Sequence, residues 1–187
     1  MKRKVVITGL GAVTPIGNTV DEFWRNIREE KVGIGEITRF DPSGFKVTLA
    51  AEVTGFDIRK YLDFRAAKRL ALFSQYAIAA AREAWQDAGL RMEQEDPYRV
   101  GVLIGSGIGG LNIMEQSCET LSSKGPKWVN PFMIPMMISN MAAGNVAIDL
   151  GCRGKCTGVT TACASGSHSI GDALRAIQYG DAEVCLA

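Results

Sequence analysis

The chain has 187 residues, 47% of them hydrophobic, which is enough for a packed core and excludes a disordered segment. Lys plus Arg number 21 against 20 for Asp plus Glu, a formal charge of +1 that argues against wholesale nucleic-acid binding and leaves room only for a local basic patch. No run approaches the roughly 18 apolar residues of a membrane span, and the 5 cysteines, odd in number and without a repeated spacing, do not read as a secreted disulfide framework.

The start, Met1-Lys2-Arg3-Lys4-Val5-Val6-Ile7, is basic and then apolar. Thr8, Gly9 and Gly11 break the apolar stretch and no small-residue cleavage site follows, so Val5–Thr8 reads as a buried strand and the compartment as the cytoplasm. Thr19 or Asp21 is placed to cap a helix through Phe23, Trp24 and Ile27, which Gly33 and Gly35 end. The spacing of Leu70, Phe73, Ala77, Ala81, Ala84 and Ala88 predicts one long helix from about Arg65 to Ala88, with Gly89 at its C-terminal stop. Arg65, Lys68 and Arg69 share one face at its start.

Continuous apolar runs at Arg99–Ile104, Thr157–Thr161 and Ala182–Ala187 predict strands buried on both faces, hence a mostly parallel sheet in an α/β fold. The glycines of Gly105-Ser106-Gly107-Ile108-Gly109-Gly110 follow the first of these strands with G-x-G-x-x-G spacing. A dinucleotide-binding turn needs a carboxylate roughly 20 positions on. Residues 122–130 supply none, so a plain strand-to-helix turn competes with that reading.

Thr157 to Ala162 forms a β-branched run, and Cys163-Ala164-Ser165-Gly166-Ser167 is its exit into a helix that stops at Gly180. Free N–H groups and the positive end of a helix dipole favour an anion there, which promotes the reactive thiolate of Cys163. Small neighbours leave room for a substrate at the sulfur. The plain alternative is a small buried apolar residue. His168, five residues on, lies about 140° around an ideal helix from Cys163 and reads as structural. Cys152 and Cys156 are four apart with no second pair and only one histidine in the chain, so no metal site is expected.

Thr161-Ala162-Cys163-Ala164-Ser165-Gly166-Ser167-His168-Ser169-Ile170-Gly171 closely resembles the nucleophile motif of the β-ketoacyl-(acyl carrier protein) synthases. Val6-Ile7-Thr8-Gly9-Leu10-Gly11, Thr14-Pro15-Ile16-Gly17-Asn18, the 105–111 glycine loop, Asn130-Pro131-Phe132, Asn140-Met141 and Gly151-Cys152-Arg153-Gly154 fit the same family in order. The resemblance spans essentially the whole chain. It implies the thiolase-like fold, in which two similar α/β halves build a five-layered αβαβα enzyme, with residues 1–187 as the N-terminal half and the C-terminal half absent. The stop at Ala187, inside an apolar run, reads the same way.

The resemblance further implies acyl transfer from acyl carrier protein to Cys163, then decarboxylative condensation with malonyl carrier protein to a 3-oxoacyl product. Two histidines, a lysine and a second glycine-rich loop that the family uses belong to the other half. By the same resemblance Ile108 gates the acyl channel, as in type II elongating members, and Met133, Ile134 and Ala162 line it. Met136, Met137 and Met141 extend a methionine wall that reads equally as adaptable pocket or as core. Arg65, Lys68, Arg69 and Lys127 match basic positions that dock the acidic carrier protein, whereas Trp128 and Ala71 depart from the pattern. A homodimer paired through 154–161, and no cofactor, complete the expectation. A nonenzymatic half that only binds carrier protein or a complementary chain is the alternative of a different class.

Overall fold

The computed structural model describes residues 3–187. Three strands, β3 (Val100–Gly105), β4 (Cys156–Val159) and β5 (Val184–Leu186), form a parallel sheet in the order β4-β3-β5. Val102 pairs with Cys156 on one side and with Leu186 on the other. The central strand is the most buried, with Val100, Val102 and Leu103 at 0–1% exposure, as a continuous apolar run requires when helices cover both faces. A separate antiparallel pair, β1 (Ile34–Glu36) with β2 (Leu49–Ala51), carries mostly exposed residues and was not foreseen. Its three-residue strands leave too short an alternation to recognise.

Helices flank the parallel sheet. Helix α6 (Met141–Leu150) packs on one face through Ala143, Val146 and Ala147 against Val102, and Ile78 and Ala81 of α3 (Leu72–Asp87) close this cluster from behind. Helix α7 (Ser165–Tyr179) packs on the opposite face, where Gly105 meets Ser165. Val102 and Gly105 differ in parity along β3, so they point to opposite sides. The predicted helix after Cys163 is therefore present, and Gly180 ends it in the left-handed conformation expected of a C-terminal glycine. Helix α1 (Val20–Arg28) is capped by Thr19, whose side chain accepts the Glu22 N–H.

Two expectations are corrected. Val5–Thr8 forms no strand, and Val6 and Ile7 are 75% and 80% exposed. This segment lies along α3 instead. The Leu10 N–H donates to Asp87 and the Ala12 N–H to Glu83, while Gly9 and Gly11 bring the backbone so close to α3 that a Cβ at either would overlap the Ala84 or Ala80 carbonyl. The long helix from Arg65 to Ala88 is also two pieces. Asp63 caps α2 (Phe64–Ala67), the chain turns extended at Ala71 (ψ 158°), and α3 begins at Leu72. The Gln75 side chain donates to the Leu70 carbonyl and shares the Ala67 carbonyl with the Leu70 N–H, so the interruption costs little.

Arg82 fastens α3 to α6. Its guanidinium donates to both carboxylate oxygens of Asp149, at 2.7 and 2.6 Å, and also to the Tyr61 carbonyl.

Candidate active site

Strand β4 delivers the chain to Thr160 and Thr161, a single 3-10 turn spans Ala162–Ala164, and α7 starts at Ser165. Cys163 sits at the centre of that turn and is exposed, so the plain reading of a small buried residue does not hold. Ala162 has φ +50°, one of two non-glycine residues with positive φ among those described. Holding a side chain there costs on the order of 1–3 kcal/mol and persists only where neighbours enforce it. Here they do. Ala164 donates its N–H to the Thr161 carbonyl at 3.0 Å, Thr161 donates its N–H to Ser165 Oγ at 2.9 Å, and Ser165 Oγ donates to the Ala162 carbonyl at 2.7 Å.

The glycine loop lies beside this turn. Ser106 N–H bonds the Val159 carbonyl, and Thr160 Oγ1 donates to the Ser106 carbonyl while also bonding Ser139 Oγ, at 3.2 Å each. A Cβ on Gly107 would stand 3.9 Å from Ala162 Cα, ordinary contact distance. Two further N–H groups of the loop are engaged, Gly109 with Ser106 Oγ at 3.0 Å and Gly110 with the Met137 carbonyl at 2.8 Å. A pyrophosphate cradle needs such groups open, so the geometry speaks against dinucleotide binding.

The candidate residues fall into two groups. Cys163, Ala162 and the loop bearing Ile108 come together at the mouth of the β4–α7 junction, with Ile108 67% exposed. Helix α5 (Met133–Met137) joins them through the Gly110–Met137 bond, leaving Met133 half-buried and Ile134 exposed. Met136 is buried, which assigns it to the core rather than to a channel wall. Arg65, Lys68, Arg69 and Lys127 are all exposed. The break in the helix changes their setting: Lys68 lies over the Phe64 ring at 4.2 Å and Arg69 over the Phe132 ring at 4.9 Å. The second contact ties the basic patch to the residue preceding Met133. His168 is exposed on α7. Sequence reasoning missed Ser106, Ser139, Thr160 and Ser165; their signal was a cluster of hydroxyl residues at strand-to-helix junctions, where side chains replace missing backbone partners.

Burial sorts the remaining thiols. It pushes Cys152 up to about 11 and raises Cys185 as well, so neither is an effective nucleophile near neutrality. Among the described residues no group of three or more potential ligands could hold a metal ion, and no helix is long and apolar enough to cross a membrane. A groove of about 390 Å³ lies elsewhere, at the free edge of β5, between the extended segment at 5–10, α3 and α7. None of the candidate residues lines it.

Comparison with known proteins gives this arrangement its context. The sequence model described as "Beta-ketoacyl synthase, N-terminal domain" matches residues 2–187. A 3-oxoacyl-[acyl-carrier-protein] synthase 2 of Synechocystis sp. is 47% identical over 185 residues, covering 99% of this chain and 44% of the relative. The chain thus spans under half the length of such relatives. Among solved structures, the ishigamide ketosynthase/chain length factor superposes with TM-score 0.88 at 30% identity, over 97% of this chain and 46% of that one. A type II PKS acyl-carrier protein in complex with its ketosynthase, bound to the hexaketide, matches with TM-score 0.85 at 27% identity, over 99% and 50% of the two chains. The α/β architecture is therefore the thiolase-like one expected, and the chain belongs to the β-ketoacyl synthase family, as its N-terminal domain.

Proposed function

We propose that this chain supplies the nucleophile half of a 3-oxoacyl-(acyl carrier protein) synthase, with Cys163 as the acyl acceptor. The observation that carries this reading is the exposed sulfur on a strained turn at the N-terminus of a 15-residue helix, in a chain of this family. The Cys163 sulfur attacks the thioester carbonyl of an acylated carrier protein. A new thioester forms, the old carbon–sulfur bond breaks, and the carrier's thiol leaves with the proton. Malonyl carrier protein then loses carbon dioxide, and its carbanion attacks the Cys163 thioester. The new carbon–carbon bond lengthens the chain by two carbons, and Cys163 departs as thiolate to be reprotonated. Splitting one difficult step in two is the advantage of a covalent intermediate, and the Cys163 N–H serves as one donor to the oxyanion.

The second step draws on the C-terminal half. The apolar groove beside β5 supports a division into halves. Val184–Leu186 present a free sheet edge, the 5–10 segment lacks a strand partner among the described residues, and Ile170 and Leu174 of α7 are 59% and 41% exposed. Ile108, Met133, Ile134 and Ala162 line the acyl entrance in this reading. Arg65, Lys68, Arg69 and Lys127 meet the acidic carrier protein, and the similar ketosynthase solved with an acyl-carrier protein supports that partner. Edge strand β4 pairs two copies, and the site of action is the cytoplasm. In the protein carrying both halves, Cys163→Ala abolishes formation of the 3-oxoacyl product from acyl and malonyl carrier proteins. Undiminished elongation by that variant would rule the reading out.

A further inference from the structure

The turn that presents Cys163 is strained, so something must hold it, and one side chain bridges it from below. Ser165 is 5% exposed, and its hydroxyl makes two bonds that converge on the strained residue. It accepts the Thr161 N–H at 2.9 Å and donates to the Ala162 carbonyl at 2.7 Å, so both ends of the Thr161–Ala162 dipeptide are pinned by one oxygen. The flanking structure fixes that oxygen in turn. Gly105 admits the first turn of α7 so closely that a Cβ there would stand 2.6 Å from the Ser165 carbonyl carbon and oxygen. Ser169, 1% exposed, donates to the Ser165 carbonyl at 2.9 Å.

We propose that Ser165 is a positioning residue for the nucleophile: its buried hydroxyl clamps Thr161 to Ala162, keeps Ala162 in the left-handed conformation, and so aims Cys163 outward from the N-terminus of α7. This rests on the reading of Cys163 as the reactive thiol. Without the hydroxyl, the Thr161 N–H and the Ala162 carbonyl lose their partner, and the turn relaxes toward ordinary φ, carrying the sulfur with it. Threonine can keep the clamp, because in a helix its Oγ1 readily bonds the carbonyl three residues back, which is the Ala162–Ser165 relation here. Valine has the same shape without the oxygen.

The test, made in the protein carrying both halves, is the rate of Cys163 alkylation by iodoacetamide relative to Cys118 in the same molecule, read by peptide mapping in Ser165→Ala, Ser165→Thr and Ser165→Val. Cys118 lies exposed on α4 (Leu111–Lys124), remote in sequence, and half-buried Cys152 reports any unfolding. We expect the ratio to fall about tenfold in the alanine and valine variants, the loss of two modest hydrogen bonds, and to stay within about twofold of the wild type with threonine. Should alanine unfold the chain, the threonine and valine pair still decides, since the two differ only in the hydroxyl. An unchanged ratio in Ser165→Val, or equal losses with threonine and valine, would overturn the proposal. Acyl transfer from carrier protein is measured in parallel. A wild type that alkylates but never acylates at Cys163 defeats the acyl-acceptor reading and leaves the Ser165 comparison standing on its own.

Discussion

Five thiols share this chain, and their surroundings rank them. Cys163 is exposed beyond the end of β4 on a turn of positive φ, while Cys152 is held at about 11 by burial, with Cys156 adding a smaller push in the same direction. At pH 8 a thiol of that kind is about one part in a thousand thiolate. Peptide-resolved alkylation at pH 8 is therefore expected to label Cys163 while sparing Cys152, and Cys152 labelling is expected to rise with pH toward 11 or on unfolding. Equal labelling of the two in the folded protein would show that burial does not protect Cys152. At this scale the sequence located the junction that carries Cys163, because a β-branched run ending in Cys-Ala-Ser-Gly marks a strand-to-helix transition whatever the rest of the chain does. The positive φ of Ala162 was not visible there. Alanine carries no sign of strain, and only the Ser165 bonds and the Gly105 approach impose it.

At the scale of elements, the sequence located β3, β4, β5, α1 and α7 to within a few residues, since each is a continuous run or a regular stripe in sequence, although only β3 is buried on both faces and the edge strand β4 is mostly exposed. It misjudged the two places where long-range contacts decide. The Val5–Thr8 run has strand composition, but strand formation needs a partner, and the carboxylates of Glu83 and Asp87 take the N–H groups just beyond it. The stripe from Leu70 to Ala88 is helical in period, yet the caps at Asp63 and Gln75 make a break at Ala71 inexpensive. Two element contacts are open to test. Replacing Gly105 by Ala puts a Cβ 2.6 Å from the backbone of Ser165, and we expect a loss of about 1–3 kcal/mol with a lower thermal midpoint. Arg82→Ala removes the bidentate link to Asp149, which is 11% exposed, and we expect about 1–3 kcal/mol of destabilisation in chemical denaturation. A stability unchanged in either variant would mean that the contact is dispensable.

For the whole molecule, the governing feature is apolar surface without cover. The 390 Å³ groove beside β5 and the exposed Val6, Ile7, Ile170 and Leu174 leave one edge of the sheet and one side of α7 in water. A patch of this kind on a 20.1 kDa chain favours association. We expect light scattering of the isolated chain to show oligomers or aggregates, and a stable, cooperatively unfolding monomer would show that the groove is tolerated open. The carrier-protein contact proposed for the basic patch is of the opposite, electrostatic kind. Arg69→Glu reverses a charge and breaks its stacking on Phe132, so carrier-protein binding is expected to weaken several-fold at low salt, with a smaller difference as salt rises. The groove itself lay beyond the sequence, because it belongs to packing between distant segments.

The most direct measurement is peptide mapping of the acyl group after incubation with acylated carrier protein, in the wild type and in Cys163→Ala. We expect the acyl mass on the peptide containing Cys163 and on no other, lost in the variant. Acyl mass on the Cys118 or Cys156 peptide with Cys163 unmodified, or an adduct that persists in Cys163→Ala, would contradict the assignment of Cys163 as the acyl acceptor.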